Sequence, residues 1–295
     1  MKTKKTKTPR HQNVSSRRRK KERVSSPARG KKVSVEQLHR RIAGLRSRIR
    51  EMGPATREGK ASSSSIHVSV FRFNAGMDYV SRMHEYTAEK IMGESVLDLL
   101  TRLKHTQDGS LTFRGSCGTG GCGTCGINVN GKPVLGCLTQ VSDALSKNET
   151  LQIGPLDREN VIRDLVCSEN PFFNQLKMVK SHLVSRKSEV RRKHRMLPSE
   201  IDALGNAPHC LLCGICNASA GVHAGENGNV LGPAAFVKGY RYWKDSRDGD
   251  VSRVERMKEF LPVPYSLEKA NTCPRDIFPG KKIEALIKEK IKKGD

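Results

Sequence analysis

Residues 116–137 read SCGTGGCGTCGINVNGKPVLGC. Cys117, Cys122, Cys125 and Cys137 form a C-x4-C-x2-C-x11-C series, and no other feature restricts the fold of this chain as strongly. Four thiolates that meet at one small object force the backbone to wrap closely around it. Gly118, Gly120, Gly121, Gly123 and Gly126 permit the dihedrals and the close approach that such a loop needs. The first three spacings match the plant-type [2Fe–2S] pattern, and the fourth thiolate arrives from beyond the next hairpin. The alternative for the same residues is a four-cysteine zinc site, although zinc sites usually pair two CxxC-like knuckles and this loop has one irregular run.

The flanking sequence predicts a small α+β unit over residues 65–155. SIHVSVFRF and HEYTAEKI read as a strand pair, and SVLDLLTRLKHT as a helix with Leu97, Leu100 and Leu103 on one face. INVNGKPVLGC reads as a hairpin turning at Asn130 and Gly131, which tolerate the positive φ of a tight turn. From Asp157 onward the signals are helical: DRENVIRDLV, PFFNQLKMVKSHL, PAAFVKGYRYWKD, VSRVERMKEF and GKKIEALIKEKI. A second, helical domain is therefore expected over residues 156–295.

A second cysteine run lies in that domain. HCLLCGICNASAG holds Cys210, Cys213 and Cys216 at the spacing of a bacterial ferredoxin run, but Ala220 and Gly221 stand where that run has its fourth cysteine and a proline. In two-cluster ferredoxins the fourth cysteine serves the neighbouring cluster, and a remote Cys-Pro completes the first three. Cys273, followed by Pro274, supplies that partner here, so eight thiols divide into a [2Fe–2S] set and a [4Fe–4S] set. The alternative for the second set is again structural zinc. The ninth cysteine, Cys167, follows an apolar run and reads as a small buried hydrophobe rather than a reactive thiol.

Charge separates a third region. Residues 1–60 hold 21 Lys and Arg against 4 Glu, whereas the other 235 hold 33 basic and 26 acidic residues. Residues 1–64 thus read as a basic extension and linker, disordered at first, with a helix predicted over 35–52 where Ser34 and Gln37 form a capping box. The extension has no aromatic residue through Met52, hence no stacking platform, and nucleic acid is not expected as a partner. The first thirty residues have no apolar stretch between the basic ones, so neither a secretory signal nor an amphipathic transit peptide is read there. Clustered thiols without a secretory signal indicate a reducing compartment.

Together these stretches resemble one family, the iron–sulfur subunit of succinate dehydrogenase and fumarate reductase. FRGSCGTGGCGTCGINVNG, IGPLDRENVIRDLV, HCLLCGICN, LGPAAFVKGYRYWKDSRD and CPRDIFPGKKI follow in the family's order over roughly residues 65–290. The resemblance implies a β-grasp, ferredoxin-like first domain and an alpha-helical ferredoxin second domain. It implies electron transfer between an FAD-containing flavoprotein and a downstream redox partner, with or without membrane anchor subunits. The location implied is cytoplasmic, peripheral at the inner face of the cell membrane, the mitochondrial matrix being the alternative. The chain departs from the family where the ligands of a [3Fe–4S] cluster belong: those positions fall at Ala220, Val263 and Lys269. No [3Fe–4S] cluster is expected. His223, in the loop that follows, reads as a solvated residue rather than a replacement ligand.

Overall fold

The computed structural model describes residues 65–185, 195–222 and 230–292. The basic extension, its expected helix over 35–52, and His223 lie outside the described residues.

The first half is a five-stranded mixed sheet crossed by one helix. Strands β1 (Ser65–Arg72), β2 (Arg82–Glu89), β3 (Gly126–Val129), β4 (Lys132–Leu135) and β5 (Thr150–Gly154) lie in the order β2-β1-β5-β3-β4. β1 and β5 are parallel, and the remaining pairs are antiparallel. β1 alternates because one face is buried: Ile66, Val68 and Val70 point into the core. Helix α1 (Val96–Thr106) starts at Ser95, whose hydroxyl accepts from the Asp98 amide while Asp98 accepts from the Ser95 amide. Leu100 and Leu103 join the sheet core as the sequence predicts, but Leu97 packs instead beside Cys125 and Cys137.

The β3–β4 hairpin turns at Asn130 (φ 48°) and Gly131 (φ 80°). The Asn130 side chain fixes the turn to the sheet, donating to Ala144 O and accepting from the Gln152 amide. Ala144 closes the short helix α2 (Val141–Ala144).

Past the sheet the sequence reading needs a correction. DRENVIRDLV is not helical; it forms a hairpin of β6 (Val161–Arg163) and β7 (Val166–Cys167). Long-range pairing overrides the local helical pattern here. Asp164 is buried and takes a positive φ of 49°, and its carboxylate accepts from Arg72 Nε (2.9 Å), the Phe73 amide and the Thr112 amide. Arg72 also donates to Tyr86 Oη, Ser110 Oγ and Asp108. Leu165 follows Asp164 into the core of the first sheet, so that core reaches beyond residue 155.

Helices build the rest: α3 (Asn170–Met178), α4 (Pro198–Leu204), α5 (Ile215–Ser219), α6 (Pro233–Trp243), α7 (Arg253–Lys258), α8 (Leu267–Ala270) and α9 (Pro279–Lys292). Their core gathers Leu176, Val179, Leu231, Ala235, Phe236, Met257, Ile283 and Leu286. Arg253 crosses it almost fully buried. Its guanidinium donates to Asp248 through Nε and Nη2, and to the carbonyls of Val179, Lys180 and His182. Every donor is thereby matched, which is the condition for keeping a charge inside a protein.

Candidate iron–sulfur sites

Three of the first four thiols occupy the loop between α1 and β3, and Cys137 joins them from just beyond β4. Cys117 is exposed, and its sulfur accepts from the amides of Gly121 (3.2 Å), Cys122 (3.3 Å) and Thr119 (3.4 Å). These amides favour the thiolate and bring its pKa down to about 6. Cys122, its neighbour, is lowered too, first by the Thr124 hydroxyl 3.2 Å from its sulfur. The other two face inward. Cys125 Sγ lies 3.4 Å from Cys137 Sγ, and Cys137 accepts from the Gly120 amide at 3.2 Å. Burial pushes Cys125 up to about 11. Gly118, Gly120 and Gly123 adopt φ values of 68°, 71° and 76°, and this lets the loop turn its amides toward sulfur.

The second four converge from distant sequence. Cys210, Cys213 and Cys216 precede and open α5, while Cys273 lies between α8 and α9, yet all four line one small cavity with Pro274. Burial raises Cys213 to about 11 and Cys216 well above the usual thiol range. The Arg275 amide points at Cys273 Sγ from 3.4 Å. Four thiols around one cavity are a donor set for a metal or an iron–sulfur group.

The two sets sit side by side. A Cβ at Gly123 would lie 3.0 Å from Cys213 Cβ and 3.1 Å from Leu211 O, so the loops touch there, and the φ of 76° favours glycine at the contact. Ile215, on α5, packs with Cys125, Cys137, Leu97 and Leu135 in one apolar cluster that Leu211 and Cys213 also join.

Sequence reasoning missed the support behind Cys216. Asn217 is buried; its side-chain amide donates to Gln175 Oε1, and its oxygen accepts from the Ala234 amide. Gln175 Oε1 also accepts from Gly232 N, and a Cβ at Gly232 would fall 2.3 Å from Asn217 Nδ2. Polar residues on three separate segments carry no local pattern that would reveal this network. Cys167 belongs to neither set: it is half-buried on β7 and its thiol donates to Asp157 O at 3.1 Å.

The positions of the expected departure have ordinary structural surroundings. Ala220 ends α5, Val263 packs against the helical core, and Lys269 is exposed on α8. Tyr265 donates to Leu231 O at 2.8 Å.

A mixed sheet with a glycine-rich thiol loop, joined to a helical unit with a second thiol set, defines an iron–sulfur protein of the two-domain ferredoxin type. Residues 67–174 match the model of the 2Fe-2S iron-sulfur cluster binding domain. The chain is 30% identical over 233 residues to the succinate dehydrogenase iron-sulfur subunit of Coxiella burnetii, covering 76% of this chain and 96% of the relative. It superposes on a chain of the Mycobacterium smegmatis Sdh1 complex in the apo form with a TM-score of 0.69 and 25% identity, over 78% of this chain and 98% of the other. The chain belongs to the family of succinate dehydrogenase iron–sulfur subunits, the electron-transfer subunits of an oxidoreductase.

Proposed function

We propose that the chain conducts single electrons between an FAD-containing flavoprotein and a downstream acceptor, with Cys117, Cys122, Cys125 and Cys137 holding [2Fe–2S] and Cys210, Cys213, Cys216 and Cys273 holding [4Fe–4S]. When bound, such clusters take up and release one electron at a time without acid–base chemistry. The residues of the chain hold, space and insulate them. The observation that carries the reading is the shared cavity of Cys273 and the trio more than fifty residues earlier. The contact at Gly123 and the apolar packing of Ile215 support a short route between the sets. With no thiol at 220, 263 or 269, the proposed wire has two stations and ends at the second.

No described helix is long and apolar enough to cross a membrane. In keeping with the family, we place the chain in a multisubunit complex with the flavoprotein, peripheral to a membrane where anchor subunits are present. Low-temperature electron paramagnetic resonance of the complex tests the proposal. Two spin systems are expected on adding succinate or dithionite, with no oxidised three-iron signal beforehand. Zinc in the second site, or a three-iron signal, would overturn it.

A further inference from the structure

Around the second thiol set, basic and aromatic side chains share one face. Cys210, Cys273 and Tyr240 pack together on Ala207, Val237 and Ile277. Lys238, on α6, lies near Cys210. The Lys282 ammonium lies 4.7 Å from the centroid of the Tyr240 ring, and Tyr240 meets Trp243 edge to face at 5.6 Å. Lys244 stands 3.7 Å over Trp243, and Lys281 stands 4.7 Å over the exposed ring of Phe278. Arg275 is exposed beside Cys273.

These five cations, Lys238, Lys244, Arg275, Lys281 and Lys282, form no ion pair among the described residues. Asp276, Glu284 and Glu289 are the acidic residues of the segment from Cys273 through α9. Five arginines elsewhere, Arg72, Arg102, Arg247, Arg253 and Arg256, are each matched to a carboxylate. Within the face, burial first and the neighbouring Lys281 second lower the proton affinity of Lys282.

We infer that this face is the docking surface of an acidic one-electron carrier protein, an inference that rests on the two-station reading above and names its downstream partner by chemistry. Charge selects the occupant. The basic extension of the same chain is repelled, and so is the identical face of a second copy. An anionic bilayer offers the right charge but no redox centre to meet Cys273. An acidic carrier supplies both, and its opposite charge steers a brief encounter of small area, as redox partners use. In each encounter one electron leaves the reduced group held by Cys210, Cys213, Cys216 and Cys273 and enters the oxidised haem, flavin or iron–sulfur centre of the carrier. No bond or proton on this chain changes.

The test uses the iron-loaded complex with its flavoprotein and measures affinity for an acidic [2Fe–2S] ferredoxin and for flavodoxin, at about 20 and about 200 mM salt. Vesicles of phosphatidylglycerol and phosphatidylcholine serve as a third ligand. Binding to at least one carrier is expected, weakening about tenfold at the higher salt and about tenfold again in the Lys244→Gln/Lys281→Glu variant. Lys132→Glu, on β4, is expected to bind as the parent does, and both variants to keep the two reduced spin signals. Carrier affinity unmoved by the double variant, or binding to vesicles and to neither carrier, overturns the docking surface while the signals preserve the two-station reading. Absence of the second signal from the parent protein overturns both.

Discussion

The two thiol sets solve one problem by different means. In the first, a surface loop turns amides and a hydroxyl toward the depressed thiols of Cys117 and Cys122, while burial raises Cys125 behind them. The second is an interior cavity, where burial drives Cys210, Cys213 and Cys216 upward. The glycines differ in what they supply. Gly118 is needed for backbone sign alone, Gly120 for sign and space, and Gly232 behind the second set for space. Hydrogen bonds and solvent both stabilise added negative charge on a cluster, so the two environments hold electrons with different strength.

The comparison can be broken by mutation. The largest effect is expected in the helical half: Arg253→Leu leaves Asp248 buried without its partner and should cost about 3–5 kcal/mol, read from denaturant unfolding. Arg72→Leu in the first half should cost less, about 1.5–3 kcal/mol, because buried Asp164 keeps the Phe73 and Thr112 amides and Asp108 is partly open to water. Equal losses would mean that the halves do not differ in burial as described. Next in size is Gly232→Ala, at about 1–3 kcal/mol from collision with Asn217. Gly118→Ala meets no atom within 4 Å and strains only φ, so about 1 kcal/mol is expected, and the reverse ranking would show the glycine roles to be misassigned. The smallest effect per contact concerns redox poise. A potentiometric titration followed by electron paramagnetic resonance should reduce the first site, with its amides and its two outward thiols, at the higher potential, and an inverted order would show that burial does not dominate.

Much of the first site was legible because its information is local. The spacing of Cys117, Cys122 and Cys125, the glycines among them and the turn at Asn130 and Gly131 all lie within one short stretch, where residue type and backbone demand are read together. The proline after Cys273 is the local sign that sets it with the Cys210 trio, and the four thiols line one cavity. The β6–β7 hairpin was not, since Val161 to Val166 has helix-compatible spacing and Asp164 finds its partners, Arg72 and Thr112, only after the sheet has formed. The Asn217–Gln175–Gly232 network was hidden for the same reason. The basic aromatic face draws on α6, the Cys273 segment and α9, so no single window of sequence displays it.

The touching of the loops at Gly123 bears on how the protein is made. Ile215 wedges under Cys125 and Cys137 while Cys213 lies against the backbone of the opposite loop, so one half supplies a wall of the compartment of the other. Each thiol set is therefore completed only when the two halves pack together, and a substitution at Gly123 or Ile215 disturbs both at once.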